Sequence, residues 1–180
     1  MRGRTLYVII ACLIPTGGLA DDQPFTRDVP IEEFQNKHEE RHYDFNAAPE
    51  GMFRSIEFAE GFEEELGFRR THEIVPVGAT DTFRPEAPAV YVVFRLYQHM
   101  ESFQIFAICY PENIDGLSPQ KPIAQDVMYI ALEDDSGYLK LQAPEHGWKP
   151  GRYRVAIHAG WQVNEVTLFG TMRFEVKAAG

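Results

Sequence analysis

The chain has 180 residues, 44% of them hydrophobic and 24% charged, and a formal net charge of −10. That acidic surplus repels phosphate backbones and anionic headgroups, so it argues against nucleic acid and against docking on acidic lipid. Beyond the first twenty residues no run is long and apolar enough to cross a bilayer as a helix.

In chain order, Arg2 and Arg4 precede an apolar stretch from Leu6 to Ile14, followed by Pro15, Gly17, Gly18, Leu19 and Ala20. A charged start, an apolar run shorter than a membrane span and small residues at Gly18 and Ala20 predict a signal peptide over residues 1–20. The mature chain is then expected to begin at Asp21 and to be periplasmic or secreted. Ile9-Ile10-Ala11-Cys12 offers an alternative, a lipoprotein cleavage box that would make Cys12 a lipidated first residue. The apolar run before Cys12 is short and continues past it, which favours an ordinary cysteine inside the leader.

Residues 21–52 hold Pro24, Pro30 and Pro49 among many charges, too thinly apolar for a sheet, and read as a loosely structured leading arm. A short helix is expected within it: Asp28 can cap, Pro30 suits a first turn, and Ile31, Phe34 and His38 share a face. The arm also holds His38-Glu39-Glu40-Arg41-His42, which matches H-E-x-x-H. On a helix the two imidazoles would share a face and could hold zinc, with Glu39 as general base on a bound water. The charged pair Glu40 and Arg41 between them, and the position outside any core, speak against a catalytic zinc helix. A third ligand would have to come by folding from His72, His99, His146 or His158. A zinc-binding protein or metal-dependent hydrolase through His38, Glu39 and His42 is therefore the alternative, and a solvated charged arm without cofactor the favoured reading.

From residue 53 to 180 the rhythm becomes that of a single β domain. Strands are expected at Arg54 to Phe58 and at His72 to Val77, with the glutamates of Glu63 to Leu66 on a solvated loop between them. Val90, Val92, Phe94 and Leu96 alternate with Tyr91, Val93, Arg95 and Tyr97, and Phe103, Ile105, Ala107 and Cys109 repeat the pattern. Gln98-His99-Met100-Glu101 between them is short enough for a hairpin. Val127 to Leu132 and Tyr138 to Leu141 form a further pair across Glu133-Asp134-Asp135-Ser136-Gly137. This acidic segment lacks the other ligands of a twelve-residue calcium loop and reads as a hairpin turn, with Gly137 supplying a positive φ. Trp148 to Gly151 make a turn into Tyr153, Val155 and Ile157, Gly160 to Gly170 hold a hairpin or longer loop, and Phe174 and Val176 close the domain. Seven or eight strands at these spacings predict an all-β antiparallel sandwich.

Phe83-Arg84-Pro85 with Val90-Tyr91-Val92-Val93, then Trp148-Lys149-Pro150-Gly151-Arg152-Tyr153-Arg154-Val155 and Met172-Arg173-Phe174-Glu175-Val176, resemble bacterial exported immunoglobulin-like or fibronectin-type domains over residues 54–177. The resemblance implies a sandwich that binds or positions another macromolecule, without naming one. The paired cysteines of antibody-type domains are missing. Cys109, mid-strand, reads as a buried small hydrophobe, and no phosphate loop, dinucleotide fingerprint or G-x-S-x-G elbow occurs. Trp161 follows Gly160 at a strand end, where a large ring can stand exposed, and is the candidate binding residue; His158 is expected to face outward. The sequence thus favours a non-enzymatic exported module with a protein partner, the metal reading and a carbohydrate-binding module resting on Trp161 being the alternatives.

Overall fold

The computed structural model describes residues 43–66 and 72–178. These form nine strands: β1 (Phe53–Leu66), β2 (His72–Ala79), β3 (Thr82–Phe83), β4 (Ala89–Leu96), β5 (Phe103–Glu112), β6 (Ala124–Ile130), β7 (Ser136–Gln142), β8 (Gly151–Gly160) and β9 (Leu168–Val176). One 3-10 turn, Glu165–Thr167, precedes β9. The signal peptide expected over 1–20, the helix expected over 28–38 and the His38–His42 motif lie outside the described residues.

Two sheets carry the strands, one in the order β2-β1-β4-β7 and the other in the order β3-β9-β8-β5-β6. The core forms because period-two alternation puts one row of each strand between the sheets. Val90, Val92, Phe94 and Leu96 of β4 meet Ile105, Ala107 and Cys109 of β5, Tyr153, Val155 and Ile157 of β8, and Met172, Phe174 and Val176 of β9. Each fully buried side chain of this size contributes about 1.5–3 kcal/mol by its removal from water.

The architecture corrects the expected one in several respects. Pairing is antiparallel throughout except between β3 and β9, which run parallel through Thr82 beside Glu175 and Phe83 beside Val176. Two residues are too few to show alternation, which is why the sequence predicts seven or eight strands and not this ninth one. Neither short connection is a hairpin: β4 and β5 belong to different sheets, as do β6 and β7, so residues 97–102 and 131–135 carry the chain from one layer to the other. Gly137, accordingly, is not among the positive-φ glycines. Its role is space, since a Cβ there would meet Met128 Sδ at 2.7 Å and Phe94 Cζ at 2.8 Å.

Glu63 to Leu66, expected as a loop face, continue β1 in register with β2, Leu66 opposite His72. Ala59 is the pivot, pairing with Tyr91 on one side and Ala79 on the other. Past it the β1–β2 hairpin packs on the outward face of the four-stranded sheet: Phe62 stacks on Tyr138 at 3.7 Å and lies edge-on to Tyr91. Ile74 N–H donates to Ser136 Oγ at 2.9 Å, and Glu73 pairs with Arg95 at 3.0 Å. This cover explains why Val93, on the outward row of β4, is buried. Ahead of β1, Asn46 and Ala47 follow the free margin of β9, where Thr171 N–H donates to Ala47 O at 2.8 Å and Arg173 Nη1 to Asn46 O at 2.7 Å.

Candidate functional site: the apolar loop end

Strand direction sorts the connections into two groups. Residues 97–102, 131–135 and 161–167 emerge together at one end of the sandwich, held there by Arg95 beside Ser136 and by Gln104 beside both Tyr129 and Gly160. The backbone also ties them, Leu96 N–H donating to Asp135 O at 2.8 Å.

This end exposes apolar surface. Met100 is 84% exposed, Leu132 60%, Trp161 65% and Val166 92%, and Tyr97 and Val163 stand out from the same connections. Tyr129 and Val127 extend the surface onto the outward row of β6, and the Tyr129 and Trp161 rings lie 6.3 Å apart at 44°. Among the described residues, every large apolar side chain recorded as exposed belongs to this surface except Tyr43, Phe45, Leu66 and Val77. Exposed apolar side chains gathered at one end of a domain are the kind of surface at which interaction sites occur, whereas scattered single residues are not.

The backbone that carries Trp161 is organised. Asn164 Oδ1 accepts from Val166 N–H at 2.9 Å and Thr167 N–H at 3.0 Å, while Thr167 Oγ1 accepts from Asn164 N–H at 3.0 Å. This reciprocal cap satisfies the donors at the start of the 3-10 turn. His158, on the outward row of β8 as alternation predicts, is nevertheless buried, because the turn folds over it and brings Thr167 Oγ1 within 3.2 Å of Nδ1. Burial depresses the proton affinity of this imidazole below the ordinary value, against a smaller opposing effect of the Asn164 backbone.

The charge of this end is predominantly negative, although Arg54, at the start of β1, stands over the Tyr97 ring at 5.6 Å and Arg95 pairs with Glu73 at 3.0 Å. Residues 97–102, 131–135 and 161–167 include Glu101, Glu133, Asp134, Asp135 and Glu165 and no lysine or arginine. Asp134 is spent on structure, its Oδ2 accepting from Ala131 N–H at 2.8 Å; the other four are exposed.

The free strand margins, by contrast, are blocked. Asp126 accepts from Val127 N–H at 2.9 Å on β6 and from Lys140 N–H at 2.7 Å on β7, occupying a donor on the margin of each sheet. On β2, Ser136 occupies Ile74 N–H and Pro76 has no N–H to offer. Such devices hinder the addition of a foreign strand at these points.

Among the described residues, those singled out from sequence are not brought together. His38, Glu39 and His42 lie outside the described residues. His72 starts β2 and pairs with Glu64 at 2.8 Å, His146 precedes Trp148, His99 sits edge-on to Phe103, and His158 is covered as described. Among the described residues no group of three His, Cys, Asp or Glu is placed to hold a metal ion. Trp161 belongs to the exposed end. Met100, Leu132 and Val166 were missed by sequence reasoning, because Met100 and Val166 fall in connections and Leu132 was expected to end a strand that stops at Ile130; their signal was an apolar residue beside acidic ones in segments too short to fold over it. Cys109 is buried between the sheets, and burial pushes its thiol well above the ordinary range despite Arg154.

No protein-family model matches the chain, and a search of curated proteins finds no significant match.

Proposed function

We propose that this protein is an exported, non-enzymatic β-sandwich module that docks a protein partner through its apolar loop end. The observation that carries this reading is the concentration of exposed apolar side chains on three connections, centred on Trp161. Large aromatic rings surrounded by apolar neighbours are where protein interfaces concentrate their binding energy. Within the sandwich class, the pairing of β4 with β7 in one sheet and of β5, β8 and β9 in the other supports an immunoglobulin-like or fibronectin-type module. So does Tyr153, whose hydroxyl, near the start of β8, donates to Lys149 O at 2.6 Å in the manner of a tyrosine corner.

The test is capture of partners from the exported fraction by the intact protein, in parallel with Trp161→Ala and Met100→Ser variants. A protein retained by the parent and lost by folded variants is the expected result. Equal retention by all three rejects the loop end as the docking surface. The exposed Tyr129–Trp161 pair also favours a second reading, stacking on a neutral glycan. Glycan-array binding abolished by Trp161→Ala would select it.

A further inference from the structure

We infer that the partner presented to the loop end is a basic segment that carries its own apolar side chains, a cationic amphipathic stretch of a protein. The inference rests on the docking role just proposed and adds the chemistry of the partner. Its ground is charge complementarity. Met100, Leu132, Trp161 and Val166 form the apolar centre, and Glu101, Glu133, Asp135 and Glu165 stand exposed in the same three connections; Arg54, over the Tyr97 ring, offsets one of these charges and leaves the surplus negative. Pressing a neutral or acidic surface onto that centre would desolvate four carboxylates without compensation, whereas lysines or arginines flanking an apolar stretch would pair with them at the rim. The same carboxylates repel an anionic membrane, the other surface that apolar loops at one end of a sandwich could enter.

Two synthetic peptides of equal length and leucine content, one with lysine and one with glutamate at the remaining positions, serve as probes for the intact protein. The readout is the fluorescence of Trp161, with Trp161→Phe supplying the background of the buried Trp148. The lysine peptide is expected to bind with a blue shift absent from Trp161→Phe, and the glutamate peptide not to bind. Affinity should fall about tenfold or more between low salt and about 0.5 M salt, because rim charges are screened. Replacing the carboxylates together, Glu101→Gln, Glu133→Gln, Asp135→Asn and Glu165→Gln, should weaken the lysine peptide by about tenfold or more, at about a third to a half of a decade per exposed pair. Asp134 is left intact because it caps Ala131. A control that removes charge at the opposite end, Glu86→Gln, Asp115→Asn and Glu145→Gln, should leave affinity within about twofold, because those exposed carboxylates lie the length of the strands away from the three connections.

Equal weakening by both sets of substitutions would show attraction to overall charge and overturn the inference. So would equal binding of the two peptides, a Trp161 blue shift with zwitterionic or anionic vesicles in place of the lysine peptide, or no response to any probe. An acidic protein captured through Trp161 from the exported fraction would sink the basic partner while leaving the docking role standing.

Discussion

The two ends of the sandwich are built from similar residues and put to opposite use. At the end opposite the exposed apolar loops, Trp148 is buried, its Nε1 donating to Ala87 O at 3.1 Å and its ring edge-on to both Tyr153 and Phe174. Tyr153 stacks on Phe174 at 5.0 Å, Phe58 and Phe83 close the box from the sides, and Ile114 is buried beside Gly151. At the loop end, Trp161 is of the same residue type but stands on a capped turn that points away from the core. An indole is therefore structural or available according to whether the backbone around it supplies an acceptor and a box of rings. Residue type alone does not decide it.

The sharpest way to break this contrast is to delete the two indoles in turn. Trp148→Ala should destabilise the domain by about 3–5 kcal/mol, as loss of a buried large ring does, measured by denaturant unfolding; a loss under about 1 kcal/mol would mean that the aromatic box is not a keystone. Beneath the exposed loops the core is filled to contact, so Gly137→Ala, which drives a Cβ against Met128 and Phe94, should cost about 1–3 kcal/mol in the same assay. A neutral result there would show slack under the loop end.

At the closed end Tyr153→Phe leaves Lys149 O without its donor and should cost about 1 kcal/mol. Burial pushes this phenol up to about 12, with the neighbouring Cys109 adding to the rise and the bond to Lys149 O opposing it. The neutral form is thus favoured in the fold: stability is full below the ordinary value of 10 and is lost as pH rises from there through about 12. Alkaline unfolding that is unchanged in Tyr153→Phe would refute that assignment.

A smaller effect belongs to the loop end. His158 has a folded proton affinity below the ordinary 6.5, so the unfolded chain binds a proton first. Stability is full above about 6.5 and declines as pH falls through that value toward the lowered folded one. Replacing it by His158→Gln should flatten the decline in thermal unfolding between neutral and mildly acidic pH. Smallest of all, Trp161→Ala should change stability by no more than about 0.5 kcal/mol while abolishing partner capture; a large destabilisation would make it a core residue after all.

Much of the fold was legible because burial writes itself into alternation. Val90 to Leu96, Phe103 to Cys109 and Tyr153 to Ile157 are strands in both the sequence and the structure, with the expected rows inward. What alternation cannot convey is which sheet a strand joins. The segments Gln98–Glu101 and Glu133–Gly137 have the length and composition of hairpin turns, yet each crosses between layers, because the partner of a strand is chosen by long-range packing and not by its connection. The hairpin over the outer sheet was missed for a related reason: Glu63, Glu64 and Glu65 in succession hide the strand that Phe62 anchors on Tyr138. Trp161 could be singled out from Gly160 and a strand end. Its companions Met100, Leu132 and Val166 become a surface only once three distant connections share one end.

The burial of Cys109 has a practical consequence. With the thiol sealed between the layers and its thiolate strongly disfavoured, a thiol-reactive dye can modify it only when the two sheets part. The side chain is thus a native clock for whole-domain opening, against which fraying of the loop end, distant from it in the fold, would be invisible. Labelling kinetics with and without a bound partner would read how far docking at one extremity tightens the whole.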